Sequence, residues 1–239
     1  MTGIFMNYLA TSRTIEATTS SIVSTNLLLH LDAGNSASYL GSGSTWTNLV
    51  SAGLKGSLGA GVTYSAADGG SLAFNGGPTA VVTITTASTV TSITNNITIE
   101  TWYKASTRQP RLVATGAGSN GFCFGYFSTT GTAWKVSKYG KVDLSAGTIP
   151  SNTSTWHQAV LVYSSTEGTS VYIDGALSGS TSPVNTATII ASAPATMYIG
   201  RVESTYHSGN ISVVRIYNKV LSASEIQQNF NANRSRYGL

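Results

Sequence analysis

The sequence predicts an all-β protein, built as an antiparallel two-sheet sandwich of the jelly-roll type. Short runs rich in β-branched and aromatic residues recur along the 239 residues, with turn signals between them. Only 9% of the residues are charged, and Ser and Thr dominate the polar positions, which strands tolerate better than helices do. Because no helical segments separate the predicted strands, parallel βαβ units are excluded.

The clearest predicted strand pair lies in the second half of the chain. Residues 156–163 are almost continuously apolar, as in a central strand that is covered on both faces. After a polar break at 164–169, residues 170–174 alternate between two faces. Asp174-Gly175 is the favoured pair for a type I′ hairpin turn. A second apolar sheet is needed to cover these strands.

The same alternation predicts the other strands. Residues 97–104 should point Ile97, Ile99, Thr101 and Tyr103 to one face and Thr98, Glu100, Trp102 and Lys104 to the other. The segment 33–59 is rich in Gly and Ser and predicts a long loop, with Trp46 as its core anchor. The further strands are predicted at 26–32, 71–75, 79–85, 111–115, 122–127, 132–138, 196–201 and 210–217.

The end of the chain predicts one short helix. Ser222 and Glu225 match the capping box S-x-x-E, so a helix is expected at roughly 223–231. Ile226 and Phe230 are four residues apart, share a helix face and should cover one end of the sandwich. The segment 234–236 is expected to be an exposed tail.

The chain is predicted to consist of an N-terminal arm, residues 1–25, and one domain, residues 26–239. The arm has a short apolar patch followed by a Ser/Thr-rich run without a clear period. A frayed terminus is one interpretation, and an extended arm that orders against another subunit is the other. The partner-docking residues expected in the second case are Ile4, Phe5, Met6, Tyr8 and Leu9.

Composition argues against several classes of function. The formal charge of +4 is small and no basic stripe with interleaved aromatic residues is present, so nucleic-acid binding is not expected. No apolar run approaches the ~20 residues of a membrane span. The first residues do not resemble a signal peptide, so synthesis in the cytoplasm is expected. The single Cys123, between Phe122 and Phe124, is expected to be a buried inert thiol.

An ordered series of short motifs carries a family resemblance. Trp156-His157, VLVY, VYIDG, YIGR at 198–201, VRIYN at 214–218 and LSASEI at 221–226 follow in the order seen in laminin-G-like domains. IETWYK and LAFNG resemble two further strands of that family. The chain, over about residues 26–231, thus resembles the concanavalin A-like lectin/glucanase superfamily. The resemblance implies a jelly roll of two antiparallel sheets.

Two finer points follow from the resemblance. Variants with a similar beginning and end look like domains of phage and environmental virus structural proteins. The family often reads G-x-I-D-E-V-R where this chain has Ser212 and Val213 in place of the acidic residues. A function that needs carboxylates on this strand is therefore not expected.

Catalysis is not expected, and no catalytic residue is assigned. A glucanase of the superfamily needs two neighbouring carboxylates, and the acidic residues of this chain are scattered singly. Glu100 is the nearest candidate, and a lone strand carboxylate is usually solvated or ion-paired. His30, His157 and His207 lack metal-ligand spacing, and His157 is expected to be structural.

No cofactor or metal is predicted, although calcium is conceivable because laminin-G-like domains sometimes bind it. Its ligands would come from Asp32, Asn35, Asp68 and Asn75. The alternative is that Asp32 caps the turn after its strand and that Asp68 begins an Asp-Gly turn.

A sugar site would use exposed aromatic rings in loops with polar groups around them. The candidates are Tyr39, Trp134, Tyr139 and Tyr206, and the alternative for each is packing at the rim of the core. The middle of the chain is also basic, which indicates either a solvated face or a docking surface for an acidic partner. Its basic residues are Lys104, Arg108, Arg111, Lys135, Lys138 and Lys141.

Two functions are consistent with the sequence. The first is a non-enzymatic virion structural protein of a phage that decorates or cements the capsid or forms part of the tail. The alternative is a carbohydrate-binding adhesin, a tail fibre or surface lectin module, that recognises host glycans. The expected partners are other virion proteins and further copies of the chain, with a trimer as the guessed assembly, and the expected location is the virion.

Overall fold

The computed structural model describes residues 21–85, 87–91, 93, 95–115, 122–126, 131–138, 142–182 and 196–239. Among these residues the α-helices are α1, a single turn at Ser88–Thr91, and α2 at Ala223–Asn233. The strands are β1 Leu27–Asp32, β2 Thr45–Thr47, β3 Lys55–Leu58, β4 Val62–Ser65, β5 Ser71–Asn75, β6 Val82–Ile84, β7 Asn96–Ala105, β8 Arg111–Thr115, β9 Phe122–Gly125, β10 Ala133–Lys138, β11 Val142–Thr148, β12 His157–Ser164, β13 Gly168–Ile173, β14 Ala176–Thr181, β15 Met197–Ile199, β16 Arg201–Val202, β17 Thr205–Tyr206 and β18 Ser208–Tyr217.

Two large antiparallel sheets form the sandwich, which confirms the predicted fold class. Sheet A has the order β14-β13-β12-β7-β18-β5-β4, and β1 pairs with the second half of β18. Sheet B has the order β11-β10-β9-β8-β15-β6-β3-β2. Strands β16 and β17 form a separate two-stranded ribbon. No helix among the described residues is long and apolar enough to cross a membrane.

The core fills the space between the two sheets. Trp46 and Trp134 are fully buried in it, so Trp46 is the core anchor that the sequence predicted. The segment around Trp46 is not the uninterrupted loop that was expected, because β2 and β3 add two short strands to the edge of sheet B. Pairing of these strands depends on β6, which is distant in sequence and leaves no local pattern.

Strand β7 alternates as predicted. Ile97, Ile99 and Tyr103 lie in the core between the sheets, while Trp102 packs on the outer face of sheet A. That outer face is covered by α2, which corrects the expectation that the helix covers one end of the sandwich.

Helix α2 packs through the two residues that the sequence singled out. Ile226 contacts a cluster that includes Val160 and Val162, and Phe230 stacks on Trp102 with ring centroids 5.7 Å apart. The capping box is formed in full, because Glu225 N donates to Ser222 Oγ and Ser222 N donates to Glu225 Oε2.

The hairpin between β13 and β14 turns as predicted. Asp174 and Gly175 have φ angles of 51° and 79°, as a type I′ turn requires at both positions. Cross-strand pairing of β12 with β13 and with β7 places this hairpin at one side of sheet A.

Both ends of the described chain pack on sheet A. Residues 234–237 form a 3₁₀ turn rather than the expected exposed tail, because Arg236 Nη1 bonds Asp32 Oδ1 at 2.8 Å and Tyr237 stacks on Trp102 at 4.4 Å. At the other end Val23 is buried and its N–H donates to Asn229 Oδ1 at 2.8 Å. Val23 thus already packs on the domain, before the expected boundary at residue 26.

A buried carboxylate joins sheet A to α2. Glu100 is fully buried, and its Oε1 accepts from Arg215 Nη1 at 2.8 Å and from Gln158 Nε2 at 2.9 Å. Its Oε2 accepts from Asn229 Nδ2 on α2 at 2.8 Å. Glu100 is therefore ion-paired, one of the two states that the sequence allowed.

Replacing Glu100 by Ala is expected to lower the free energy of unfolding by about 3–5 kcal/mol, because the buried Arg215 would lose its counter-charge. Urea denaturation of the full chain measures this change. The control is Lys219→Ala, which breaks a half-exposed pair with Glu225 and should cost less than about 1 kcal/mol. Equal losses in the two variants would contradict the assigned role of Glu100.

Two histidines are held neutral inside the fold. Burial lowers the pKa of His207 to about 4 and that of His30 to about 3, from an ordinary value of 6.5. Nδ1 of His207 accepts from Arg111 N at 3.3 Å, so the ring proton lies on Nε2, and backbone bonds to Lys104 and Asn210 offset part of the lowering of the pKa. Protonation of either ring at low pH would therefore place a positive charge in the buried interior.

The folded protein is expected to lose stability as the pH falls from 6.5 towards 4. The unfolded chain takes up a proton at His207 over this range and the folded chain does not, which costs about 2–3 kcal/mol between pH 7 and 4.5. Urea denaturation at the two pH values measures the loss. The His207→Gln variant should lose less free energy of unfolding between pH 7 and 4.5, whatever its stability at pH 7. If the variant loses as much as the unaltered protein, His207 does not titrate in this range.

Candidate functional site

A short ribbon lies against the outer face of sheet B. Gly200 allows the chain to leave β15, since its φ of 80° is left-handed and a Cβ there would lie 2.4 Å from the Phe74 ring. The ribbon, residues 200–207, is closed by two backbone bonds, from Gly200 N to Leu112 O and from His207 N to Gly200 O. Val202 packs beneath it on Ala114 of β8 and Cys123 of β9.

An arginine and two tyrosines are presented beside this ribbon. Tyr198 lies on the outer face of sheet B, because its neighbours Met197 and Ile199 both point into the core. The guanidinium of Arg201 lies over the Tyr198 ring, 4.6 Å from its centroid. Tyr206 is the cross-strand partner of Arg201, and all three side chains are half-buried. We call Tyr198, Arg201 and Tyr206 the ribbon face.

A second arginine fixes the ribbon to the sheet. Arg111 is buried, and its Nε donates to Thr205 Oγ1 at 2.7 Å while its Nη1 donates to Gln109 O at 2.6 Å. Its guanidinium also lies 5.2 Å from the Tyr126 ring centroid. Burial lowers the pKa of Arg111 below its ordinary value, and the neighbouring Tyr126 partly offsets this effect. The ribbon face therefore rests on a rigid support.

The two faces of the sandwich differ in how their cations are neutralised. Sheet A and its cover carry the ion pairs Lys104–Asp68, Arg215–Glu100, Lys219–Glu225 and Arg236–Asp32. None of the ion pairs between described residues includes Arg111, Lys135 or Arg201 of the sheet B side. Arg201 Nε bonds Glu203 O, a backbone acceptor without charge.

A small cleft, open to solvent, lies between the β7–β8 loop and the β11–β12 loop. Arg108 lies on one side, and His157 on the other is bonded to Asp174 Oδ2 at 2.8 Å and to Asn152 O at 3.0 Å. Burial alone would lower the pKa of His157, but the bond to Asp174, its charge and the Asn152 carbonyl raise it. The cleft lining is Tyr103, Ala105, Thr107, Arg108, Pro110, Ile149, Pro150, Asn152, Thr153 and His157.

The predicted sugar-stacking residues that the structure describes do not form one shared surface. Trp134 is fully buried between the sheets, where it packs against Phe124 and Tyr103, so its predicted exposure in a loop is wrong. Tyr39 is also buried, and its hydroxyl donates to Gly43 O at 2.8 Å. Trp134 packs on Tyr103 of the opposite sheet and Tyr39 packs on Tyr64 of β4, and the local sequence reveals neither contact. Tyr206 lies in the ribbon face.

Other predicted residues lie outside the described part of the chain. These are Tyr139 and the partner-docking residues Ile4, Phe5, Met6, Tyr8 and Leu9.

Sequence reasoning missed Tyr198 and Arg201 as site residues. The alternation around Tyr198, with Met197 and Ile199 as apolar neighbours, carried the signal that this ring points outward. Arg201 gives no such signal, because its position depends on the fold of the ribbon.

The four conceivable calcium ligands are bonded to other groups of the protein. Asp32 Oδ1 and Ser212 Oγ both accept from the Arg236 guanidinium, and Asp68 Oδ2 accepts from Lys104 and from Trp156 Nε1. Asn35 and Asn75 each accept a backbone N–H two residues further on. Within the described residues no three His, Cys, Asp or Glu side chains converge as metal ligands would. The oxygens near Asp32 thus hold a guanidinium of the protein itself.

Solved structures with the same fold include proteins that bind or act on carbohydrates. Botulinum neurotoxin type C, whose cell entry depends on two ganglioside molecules, aligns with a TM-score of 0.66 and 13% identity, covering 87% of this chain and 51% of that one. Trypanosoma rangeli sialidase in complex with the inhibitor DANA aligns with a TM-score of 0.61 and 18% identity, and the alignment covers 88% of this chain and 33% of that one. This chain therefore spans about half and one third of those two chains.

A third structure matches over nearly its whole length. Domain 4 of AbnA, an extracellular GH43 arabinanase from Geobacillus stearothermophilus, in complex with arabinotriose, aligns with a TM-score of 0.66 and 15% identity. The alignment covers 85% of this chain and 98% of that domain. At such identities the likeness establishes the fold alone.

The sequence itself identifies the family. No curated protein sequence matches the chain significantly. The Laminin_G_3 family model, described as the concanavalin A-like lectin/glucanases superfamily, matches residues 74–227, which run from β5 to α2 and include strands of both sheets and the ribbon face. The chain therefore belongs to this laminin-G-type family of the concanavalin A-like lectin/glucanase superfamily.

Proposed function

We propose that this protein is a carbohydrate-binding module and that the ribbon face is its sugar-contact surface. The observation that carries the proposal is the arrangement of Tyr198, Arg201 and Tyr206: the Arg201 guanidinium lies over the half-buried Tyr198 ring, and the half-buried Tyr206 is the cross-strand partner of Arg201. Tyrosine rings offer apolar faces to the C–H groups of a sugar, and a neighbouring guanidinium offers donors to its hydroxyl oxygens.

Rigidity of the ribbon face supports the proposal. Arg111 ties the ribbon to β8 through Thr205, and Val202 packs on the sheet beneath it. A preformed surface loses little conformational entropy on binding, which matters for ligands that gain little free energy from each contact. The likeness to an arabinanase domain in complex with arabinotriose agrees with an oligosaccharide ligand.

We infer that the module binds without catalysis. Its fold is of the binding type, and the strand carboxylate nearest to a glucanase candidate, Glu100, lies beneath α2 and is bonded to Arg215, Gln158 and Asn229. A carboxylate buried in this way has no access to a glycosidic bond.

Binding of oligosaccharides to the full chain on a glycan array tests the proposed function. The glycan bound most strongly is then titrated against Tyr206→Ala and Tyr198→Ala, and each is expected to weaken binding by about tenfold, because each removes one stacking partner. A blank array would contradict carbohydrate binding. Unchanged affinity in both variants would contradict the ribbon face as its site.

Tyr64→Ala is the matched control for these variants. Tyr64 is 36% exposed on β4 at the edge of sheet A and contacts Tyr39. Its loss should leave glycan affinity unchanged. Trp134→Ala is unsuitable as a test, because removing a fully buried indole would destabilise the core.

A virion role is a second proposal. It rests on the resemblance to variants from phage structural proteins, on the low content of charged residues and on the apolar patch near the N-terminus. In this proposal the module decorates the capsid or the tail, copies associate as a homo-oligomer, with a trimer expected, and residues 1–20 attach it to other virion proteins. Glycan binding and attachment to a virion are compatible.

Deletion of residues 1–20 tests the attachment. Val23 and its bond to Asn229 remain, so the thermal unfolding midpoint should stay within a few degrees of that of the full chain. The truncated protein is expected to lose co-sedimentation with the phage particle. Normal attachment of the folded truncated protein would contradict a docking role for Ile4, Phe5, Met6, Tyr8 and Leu9.

A further inference from the structure

We propose that the cleft between the β7–β8 and β11–β12 loops is a second binding site, separate from the ribbon face, and that it takes the carboxylate of a single acidic sugar. The cleft lies at one end of the sandwich, where loops from both sheets meet. Its ionisable lining residues are Arg108, His157 and Tyr103, and none of the described residues that line it is acidic.

Arg108 carries the argument. Its Nε and Nη2 both donate to one acceptor, the carbonyl oxygen of Ile149, at 2.9 and 2.6 Å. The described residues provide no acceptor for Nη1, so the outer edge of the guanidinium remains available while its inner edge is fixed. A planar guanidinium edge of this kind suits bidentate binding of a carboxylate. The carbonyl fixes the orientation of the guanidinium but leaves its charge uncompensated.

His157 adds a second positive group with a different role. Both ring nitrogens have acceptors, Asp174 Oδ2 and Asn152 O, and the raised pKa favours the doubly protonated ring. Asp174 neutralises that charge, so the net positive charge of the cleft comes from Arg108. Ile149 O and Asn152 O bond Arg108 and His157 respectively, so these two side chains hold the β11–β12 loop in place.

The polarity of the cleft suits a sugar acid. The cleft is small and open to solvent, so its occupant is one sugar unit whose carboxylate reaches Arg108 while its ring lies across the mouth. Ala105, Pro110 and Pro150 supply apolar contacts. Thr107, Thr153 and Asn152 supply groups that can bond ring hydroxyls.

The test is an NMR titration of the full ¹⁵N-labelled chain with D-glucuronate and, in parallel, with its neutral isostere D-glucuronamide. Glucuronate is expected to shift the backbone amides of residues 105–109 and 149–153 with a millimolar dissociation constant. Glucuronamide should bind at least about tenfold more weakly, because it lacks the charge that pairs with Arg108. This comparison uses the unaltered protein, so it does not depend on the folding of a variant.

Substitutions then assign the effect to Arg108. Arg108→Gln should lose the preference for glucuronate over glucuronamide, whereas Lys135→Gln, which removes a positive charge from the outer face of sheet B, should retain it. Equal binding of glucuronate and glucuronamide would overturn the proposal. Acetate binding as tightly as glucuronate would overturn it too, since the site would then recognise a simple anion.

The two proposed sites can fail independently. Tyr206→Ala should leave the glucuronate shifts in the cleft unchanged, and Arg108→Gln should leave glycan binding at the ribbon face unchanged. A blank glycan array together with glucuronate shifts at 105–109 and 149–153 would reject the ribbon face and support the cleft.

Discussion

The buried pair of Glu100 and Arg215 is the constraint on which the arrangement of this sandwich depends. A carboxylate in the middle of sheet A is stable only if its oxygens are bonded and its charge is matched, and the partners come from β12, β18 and α2. Asn229 links α2 to this carboxylate, so the helix has one position on the sheet. Phe230 and Tyr237 then stack on Trp102 and bury this part of the outer face of sheet A. Among the described residues no helix packs on the outer face of sheet B, where the ribbon face lies.

Local sequence patterns predicted the elements that local chemistry determines. The Asp174-Gly175 turn and the capping box of Ser222 and Glu225 form as expected, because their bonding partners lie within a few residues. The alternation of β7 also predicted correctly which residues face the core. Each of these predictions depends only on backbone geometry within a single strand or within less than two turns of helix.

Long-range packing set the limit of prediction. Burial of Trp134 depends on Tyr103, which lies on the opposite sheet, and Arg236 bonds Asp32 from 204 residues away. Of the ribbon face, the sequence predicted only Tyr206. The other two residues were missed because a ribbon of four paired residues is too short to leave a periodic pattern. Arg108 was noted only as part of a basic stretch. Its fixed orientation depends on a carbonyl 41 residues further along the chain.

The position of Val23 determines on which side of the sandwich the preceding residues are attached. The chain enters the fold beside α2, where Val23 N bonds Asn229 and Ser21 O accepts from Gln228. Whatever precedes this point is therefore joined behind sheet A, on the side away from the ribbon. When many copies are anchored through their leading ends on one support, their ribbons point outward together. Weak individual contacts between these ribbons and one surface would then combine as avidity, which depends on the spacing of the copies more than on the strength of any single site.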